Sequence, residues 1–327
     1  MANIALRNPQ FKYMYVGTGV LSLVCVVTID GTVRYTLTKN LPVGATGQFD
    51  ISELARDYLD ISYLSSYIPQ KVTINTVITS YDGLNGLGTV VGSVTFDDIG
   101  FEAYGTFTEG ANPEVPFGAT LPTFLMADNN STSSSAPFTI FVPTLESGLI
   151  PYMDDVSTLG AVSYNSGDSV IHTPIGAFAN ITRIDCTKYG DGTKIIFINK
   201  YGVQQDLWFF LRKDKSLVRK NEGYKANTIE YKSSLPATYT IQNAPNKVFN
   251  TQAKQSHKLS SGYYPEFANQ YFEELLLSEY VWMETDNGII PVKVKTSSMK
   301  FKTSVNDRLI EYVIDFEEAF DYINNIR

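Results

Sequence analysis

The stretch IIFINKYGVQQDLWFF, residues 195–210, restricts the fold more than any other part of this chain. It is almost without charge, and its apolar side chains occupy both registers of an extended strand. Ile195, Phe197, Leu207 and Phe209 would point one way in a hairpin, and Ile196, Ile198, Trp208 and Phe210 the other. Successive side chains of a strand alternate between faces, so a hairpin with one face in water should alternate apolar and polar. Both faces here need cover. One packs on an opposing sheet of its own domain. The other is covered either from within the chain, as a strand buried on both sides, or by a neighbouring subunit.

The composition is that of a folded, β-rich protein. A hydrophobic content of 43% with 18% charged residues describes a globular chain, and 327 residues leave room for two or three domains. The 21 Tyr and 19 Phe favour strands and protein contact surfaces. A net charge of −8 argues against a nucleic-acid-binding protein taken as a whole, but that average hides an asymmetry. Residues 1–182 carry 6 basic and 16 acidic side chains, residues 183–300 carry 17 and 12, and residues 301–327 carry 3 and 6. Opposite charges on different parts of one chain suit head-to-tail packing of identical subunits. Cys25 and Cys186 lie far apart in strand-like runs and read as buried thiols. The apolar segment 13–29 follows Arg7 and Lys12, yet it lacks a small-x-small cleavage site and is interrupted by Gly and Thr. It reads as a strand rather than a leader or a membrane span.

Asp-Gly and Asn-Gly pairs punctuate the chain. Asp30-Gly31, Asp82-Gly83, Asp191-Gly192 and Asn287-Gly288 each separate apolar β-branched runs and predict four hairpins. Two helices are expected. Residues 50–59 open with Asp50 and Glu53 in capping-box spacing, and residues 265–277 begin with a first-turn proline. A short helix is also expected after Phe316. The polar tract DNNSTSSSAPF (128–138) marks a linker or loop tip, and residues 243–262 a weaker boundary. The resulting expectation is a mainly β protein of two or three antiparallel sandwich- or barrel-like domains. They comprise residues 1–125 with helix 50–59, residues 126–245 after the linker 128–137, and an α+β unit at 246–327 with helix 265–277.

Chemistry-bearing motifs are sparse. His172 and His257 have no second ligand at metal spacing, so a zinc site or a Ser–His–Asp triad would need single, distant residues. Acid pairs occur at 97–98, 154–155, 273–274 and 317–318. Glycoside hydrolysis needs two carboxyls facing each other across a pocket, whereas neighbours in a strand point to opposite faces. The loops at 81–88 and 189–194 hold oxygen ligands suited to Ca²⁺ but are better explained as turns. No enzyme, metal or cofactor is expected. The basic run RKDKSLVRK (212–220) follows the apolar hairpin directly and suits either a solvated strand end or an acidic protein surface. It lacks the interleaved aromatics that stack on single-stranded bases. The candidate subunit interface is therefore Trp208, Phe210, Arg212, Lys213, Lys215, Arg219 and Lys220.

Three segments resemble a known family. FDISELARDYLD (49–60) resembles an F-E-I-x-E-L-x-R-D-Y-L segment, and residues 183–210 resemble a K-I-x-F-I-N-x-x-G-x-x-D-x-x-F-F hairpin. The tail from EELLLSEYVWM through IIPVKVKTSSMKFKT to DRLIEYVIDFEEAFD follows the same order. The combination resembles virion structural proteins of tailed bacteriophages, crAss-like and related phages of Bacteroidetes, with residues 110–170 unmatched. The resemblance implies assembly into a symmetric ring or sleeve, of six or twelve copies, in the tail or the neck between portal and tail. The partners it implies are the chain itself and other virion tail or neck proteins, with no membrane and nucleic acid only as a lumen contact. The implied location is the virion, assembled in the bacterial cytoplasm. The competing expectation is a glycan-binding or receptor-binding tail adhesin, since exposed Tyr and Trp on β-sandwiches hold sugars.

Overall fold

Turn chemistry sets much of the strand pairing. The computed structural model describes residues 2–42, 45–110, 123–127, 138–153, 159–174, 176, 178–186, 191–229, 236–303 and 310–324, and the chain is mainly β. Asp30 and Gly31 both take left-handed backbone, φ +47° and +77°, as a two-residue primed turn requires. They join β3 (Ser22–Ile29) to β4 (Thr32–Asn40). Asp82-Gly83 leads β6 (Val72–Tyr81) into β7 (Val90–Phe101), and the Asn287-Gly288 turn joins β18 (Val281–Thr285) to β19 (Gly288–Val294). The Asp191-Gly192 hairpin expected from sequence does not form. Strand β13 (Phe178–Ile184) pairs instead with β12 (Val170–His172) and, in parallel, with β9 (Phe138–Pro143). The chain leaves that sheet before β14 (Thr193–Ile198) begins.

The N-terminal unit is a five-stranded sheet in the order β1 (Ala2–Ala5), β7, β6, β3, β4, with a β2 (Phe11–Met14)–β5 (Gly47–Asp50) ribbon. Leu23, Cys25, Val27 and Ile29 of β3, with Ile74 and Ile78 of β6, bury one sheet face against Phe49, Ile51, Ala55 and Leu59. That packing fixes helix α1 (Ser52–Arg56), which is shorter than the expected 50–59. Asp50 does not form a capping box with Glu53. Its Oδ1 accepts from the Ser52 amide at 3.0 Å, the Ser52 hydroxyl at 2.7 Å and the Gln10 amide at 2.9 Å.

Beyond residue 123 lie two three-stranded sheets, β11 (Leu159–Tyr164)–β10 (Gly148–Met153)–β8 (Thr123–Phe124) and β12–β13–β9. A seven-stranded sheet follows in the order β15 (Gln204–Phe209), β14, β18, β19, β20 (Val313–Glu318), β17 (Asn246–Ser260), β16 (Lys213–Lys225). This sheet runs through the boundary expected near 245, because β16 and β17 are the two strands of one hairpin. The linker 128–137 lies outside the described residues. Helix α2 (Asn269–Leu277) follows a 3₁₀ turn at Glu266–Ala268 and lays Tyr271, Phe272 and Leu275 on the large core. Of the every-fourth-residue stripe Phe267, Tyr271 and Leu275 that the sequence offers, Phe267 is exposed, because it lies in the 3₁₀ turn ahead of the helix. No helix follows Phe316 among the described residues: β20, with Ile314 and Phe316 buried in the core, runs on to Glu318, and residues 319–324 form bends and irregular backbone.

The turn between β14 and β15 ties the two units together. The Tyr104 amide donates to the Lys200 carbonyl at 3.1 Å, and Tyr201 and Val203 join Phe101, Ala103 and Leu125 in one cluster. Gly202 sits at φ +78°, and a Cβ there would lie 2.9–3.1 Å from backbone atoms of Glu102 and Ala103. Gly202→Ala should therefore cost roughly 1–3 kcal/mol through strained backbone and a forced-apart joint, read as a lower urea midpoint. An unchanged midpoint would show that the joint bears no load.

Candidate assembly surface

The chain covers both faces of the 195–210 hairpin itself. Ile195, Phe197, Leu207 and Phe209 enter the large core, where the Phe209 ring meets Phe272 and Phe316 edge-on at 6.2 and 5.7 Å. On the other face Ile196 and Ile198 lie with Tyr67 and Trp282, flanked by Ile61, Tyr63, Leu149 and Ala161. The cover thus comes from the segment after α1 and from the β10–β11 pair. Trp208 and Phe210 are 2% and 4% exposed, so they leave the candidate interface: their side chains are core. The Phe210 ring packs on Tyr264 at 5.6 Å, and Tyr264 Oη donates to the Trp208 carbonyl at 2.7 Å.

Asp206 is the one acidic side chain of this hairpin. Tyr67 Oη donates to its Oδ1 at 2.5 Å, while Oδ2 is buried without a hydrogen-bond partner. Burial pushes its carboxyl up to about 6, opposed by the nearby Lys194 ammonium and the Tyr67 hydrogen bond. The adjoining cavity, lined by Met126, Ile150, Tyr164, Asp206 and Trp208 among others, holds about 20 Å³. That is room for about one water, far too little for a sugar or a nucleotide.

The remaining chemistry-bearing residues stand apart from one another. Asp98 is buried beside Lys12 at 2.6 Å while Asp97 is exposed. Glu318 is buried against His257 Nε2 at 3.0 Å, while Glu317 faces Lys295 and Lys254. Those lysines hold the Glu317 carboxyl below its usual range. Glu274 is buried and Glu273 is exposed, and the pair 154–155 lies outside the described residues. His172 is exposed and stands apart from His257, which lies in another sheet. No group of three or more His, Cys, Asp or Glu among the described residues could hold a metal ion.

The five basic candidates occupy an exposed arm. Arg212 pairs with Asp214 at 2.7 Å, and Lys213, Lys215, Arg219 and Lys220 line β16, the outermost strand of the seven-stranded sheet. The β16–β17 register runs from Lys213↔Leu259 to Lys225↔Asn246, with a bulge at Glu222/Gly223. At about 3.3 Å per residue the ribbon is roughly 43 Å long. From Ser216 outward β16 buries nothing, and β17 is exposed from Asn246 to Thr251. The arm nevertheless exposes Leu217, Val218, Tyr224, Val248 and Phe249, with the Tyr224 and Phe249 rings 6.0 Å apart. Beyond it Ile229, Tyr239 and Ile241 are exposed as well. Residues 212–258 contain ten basic and three acidic side chains, net +7, so the rest of the chain carries −15 of the total −8. The basic run was visible in the sequence. The apolar half of the surface was not, because Val248 and Phe249 sit in a polar stretch that reads as a boundary.

Comparison of the chain with protein-family models, curated proteins and solved structures finds no match.

Proposed function

We propose that the chain is a structural protein that works by associating with copies of itself. The observation that carries this reading is the β16–β17 arm, a basic and apolar ribbon exposed on both faces. A two-stranded ribbon with both faces in water is marginal by itself, and a long edge strand invites pairing with another chain. Lysines along β16 discourage indiscriminate pairing, whereas Leu217, Val218, Val248 and Phe249 gain from a specific cover. Within that class, the resemblance of residues 49–60, 183–210 and the tail to tailed-phage virion proteins favours a ring or sleeve component of the tail or neck. The glycan-binding alternative lacks a Trp platform, since Trp208 and Trp282 are 2% and 8% exposed.

The test is the solution mass by light scattering, with negative-stain imaging, across ionic strength. A discrete oligomer of six or twelve copies is expected at low salt, loosening as salt rises, because exposed charges are screened beyond about 10 Å at 0.1 M. A chain that remains monomeric under all these conditions overturns the reading. An oligomer indifferent to molar salt removes its electrostatic part.

A further inference from the structure

Resting on that reading, we propose that the basic arm of one copy seats on the acidic surface around helix α1 of the next copy. The segment from Asp50 to Asp60 carries four carboxylates and one arginine, and Arg56 is already engaged by Glu102 and Glu279. Glu53, Asp57 and Asp60 are exposed and, among the described residues, form no ion pair. Tyr58 is partly exposed in the same segment, with the Arg34 guanidinium 4.7 Å from the centre of its ring. The arm offers concave surface to receive the exposed carboxylates. The concavity of about 350 Å³ beside Lys215, Leu217 and Tyr322 has no carboxylate in its lining and suits them, whereas the one of about 400 Å³ sets Lys220 and Lys254 against Glu222, Glu317 and Asp321.

The strand order places the two surfaces on opposite sides of the subunit. The N-terminal unit docks at the β15–β14–β18 end of the large sheet, through Tyr67, Tyr63 and the contacts of Arg56 with Glu279. The arm leaves from β16 at the other end. Six interstrand spacings separate the ends, about 29 Å. An arm and an acceptor on opposite flanks make a heterologous contact, the kind that closes into rings when the rotation permits. The occupant is a second copy rather than nucleic acid, because phosphates would pair with Arg219 and Lys220 but leave Leu217, Val218, Val248 and Phe249 in water.

The full-length chain carrying Arg219→Glu and Lys220→Glu tests this, alongside a chain carrying Asp57→Lys and Asp60→Lys and one carrying all four. All four side chains are exposed, so circular dichroism and thermal unfolding should match the parent. Light scattering at low salt should show association weakened at least tenfold in each double variant and restored in the fourfold one. A wild-type chain that does not associate overturns self-assembly itself. If the wild type assembles and the arm variant assembles equally well, only the arm assignment falls. A weakened arm variant that the α1 reversal fails to rescue overturns the acceptor. If the wild type retains a 40-bp DNA duplex, the arm variant loses it and self-association is unaltered, the arm is a nucleic-acid contact and the proposal fails.

Discussion

Trp208→Ala should lower the unfolding free energy of the isolated chain by about 3–5 kcal/mol, the range for truncating a large buried aromatic. Trp208 is 2% exposed, and the Lys194 ammonium lies 5.5 Å from the centre of its ring. The substitution removes that cation–π contact together with the packing of the indole. The loss should sit at the upper end of the range, because the void left by the indole adjoins the existing 20 Å³ cavity and the two merge. Urea unfolding of the monomer at low protein concentration measures the effect. A midpoint equal to that of the parent, combined with failure to assemble, would place the side chain at a subunit contact and refute its assignment to the core.

What the sequence disclosed and what it concealed divide along the range of the interactions. Local signals carried well: left-handed Asp30-Gly31 makes its hairpin, and Tyr271 and Leu275, four residues apart, both face the core from α2. The pairing of β13 with β9 was not visible, because a parallel partner some forty residues away leaves no mark on either strand. The tail misled for a related reason. FEEAFD resembles a short helix in propensity, but its first three residues extend β20, whose Ile314 and Phe316 are inserted between β19 and β17, and the rest forms bends. The cover of Ile196 and Ile198 comes from ISYLSSY (61–67), which has neither helical nor strand periodicity. The arm was half legible. Its charge is written in 212–220, yet Val248 and Phe249 of its second strand stand among polar neighbours with no alternation to mark them, since that outer half packs on nothing within the chain.

Stability should rise as pH falls from 8 to 5, through two buried carboxyls. Glu274, 2% exposed on α2, accepts from the Lys200 amide at 2.9 Å and from Gln270 Nε2 at 3.2 Å, and burial pushes its carboxyl up to about 7. Asp206 lies at about 6 for the same reason. Both groups hold their proton more tightly folded than unfolded, so folding takes up protons in this window. Their stabilising contribution is complete below the ordinary carboxylate values and is lost as pH rises through about 6 and about 7. At 1.36 kcal/mol per pKa unit each amounts to roughly 3 kcal/mol. Glu317 works the other way: its carboxyl is held low by Lys295 and Lys254, and its ion pairs weaken only on further acidification. Asp206→Asn keeps an acceptor for Tyr67 Oη and removes the buried charge, so it should raise the urea midpoint at pH 8 and flatten the profile near pH 6. Glu274→Gln should do the same near pH 7. A parent chain that is more stable at pH 8 than at pH 5 would show that neither carboxyl pays the penalty its burial implies, and both variants would then lower stability instead of raising it.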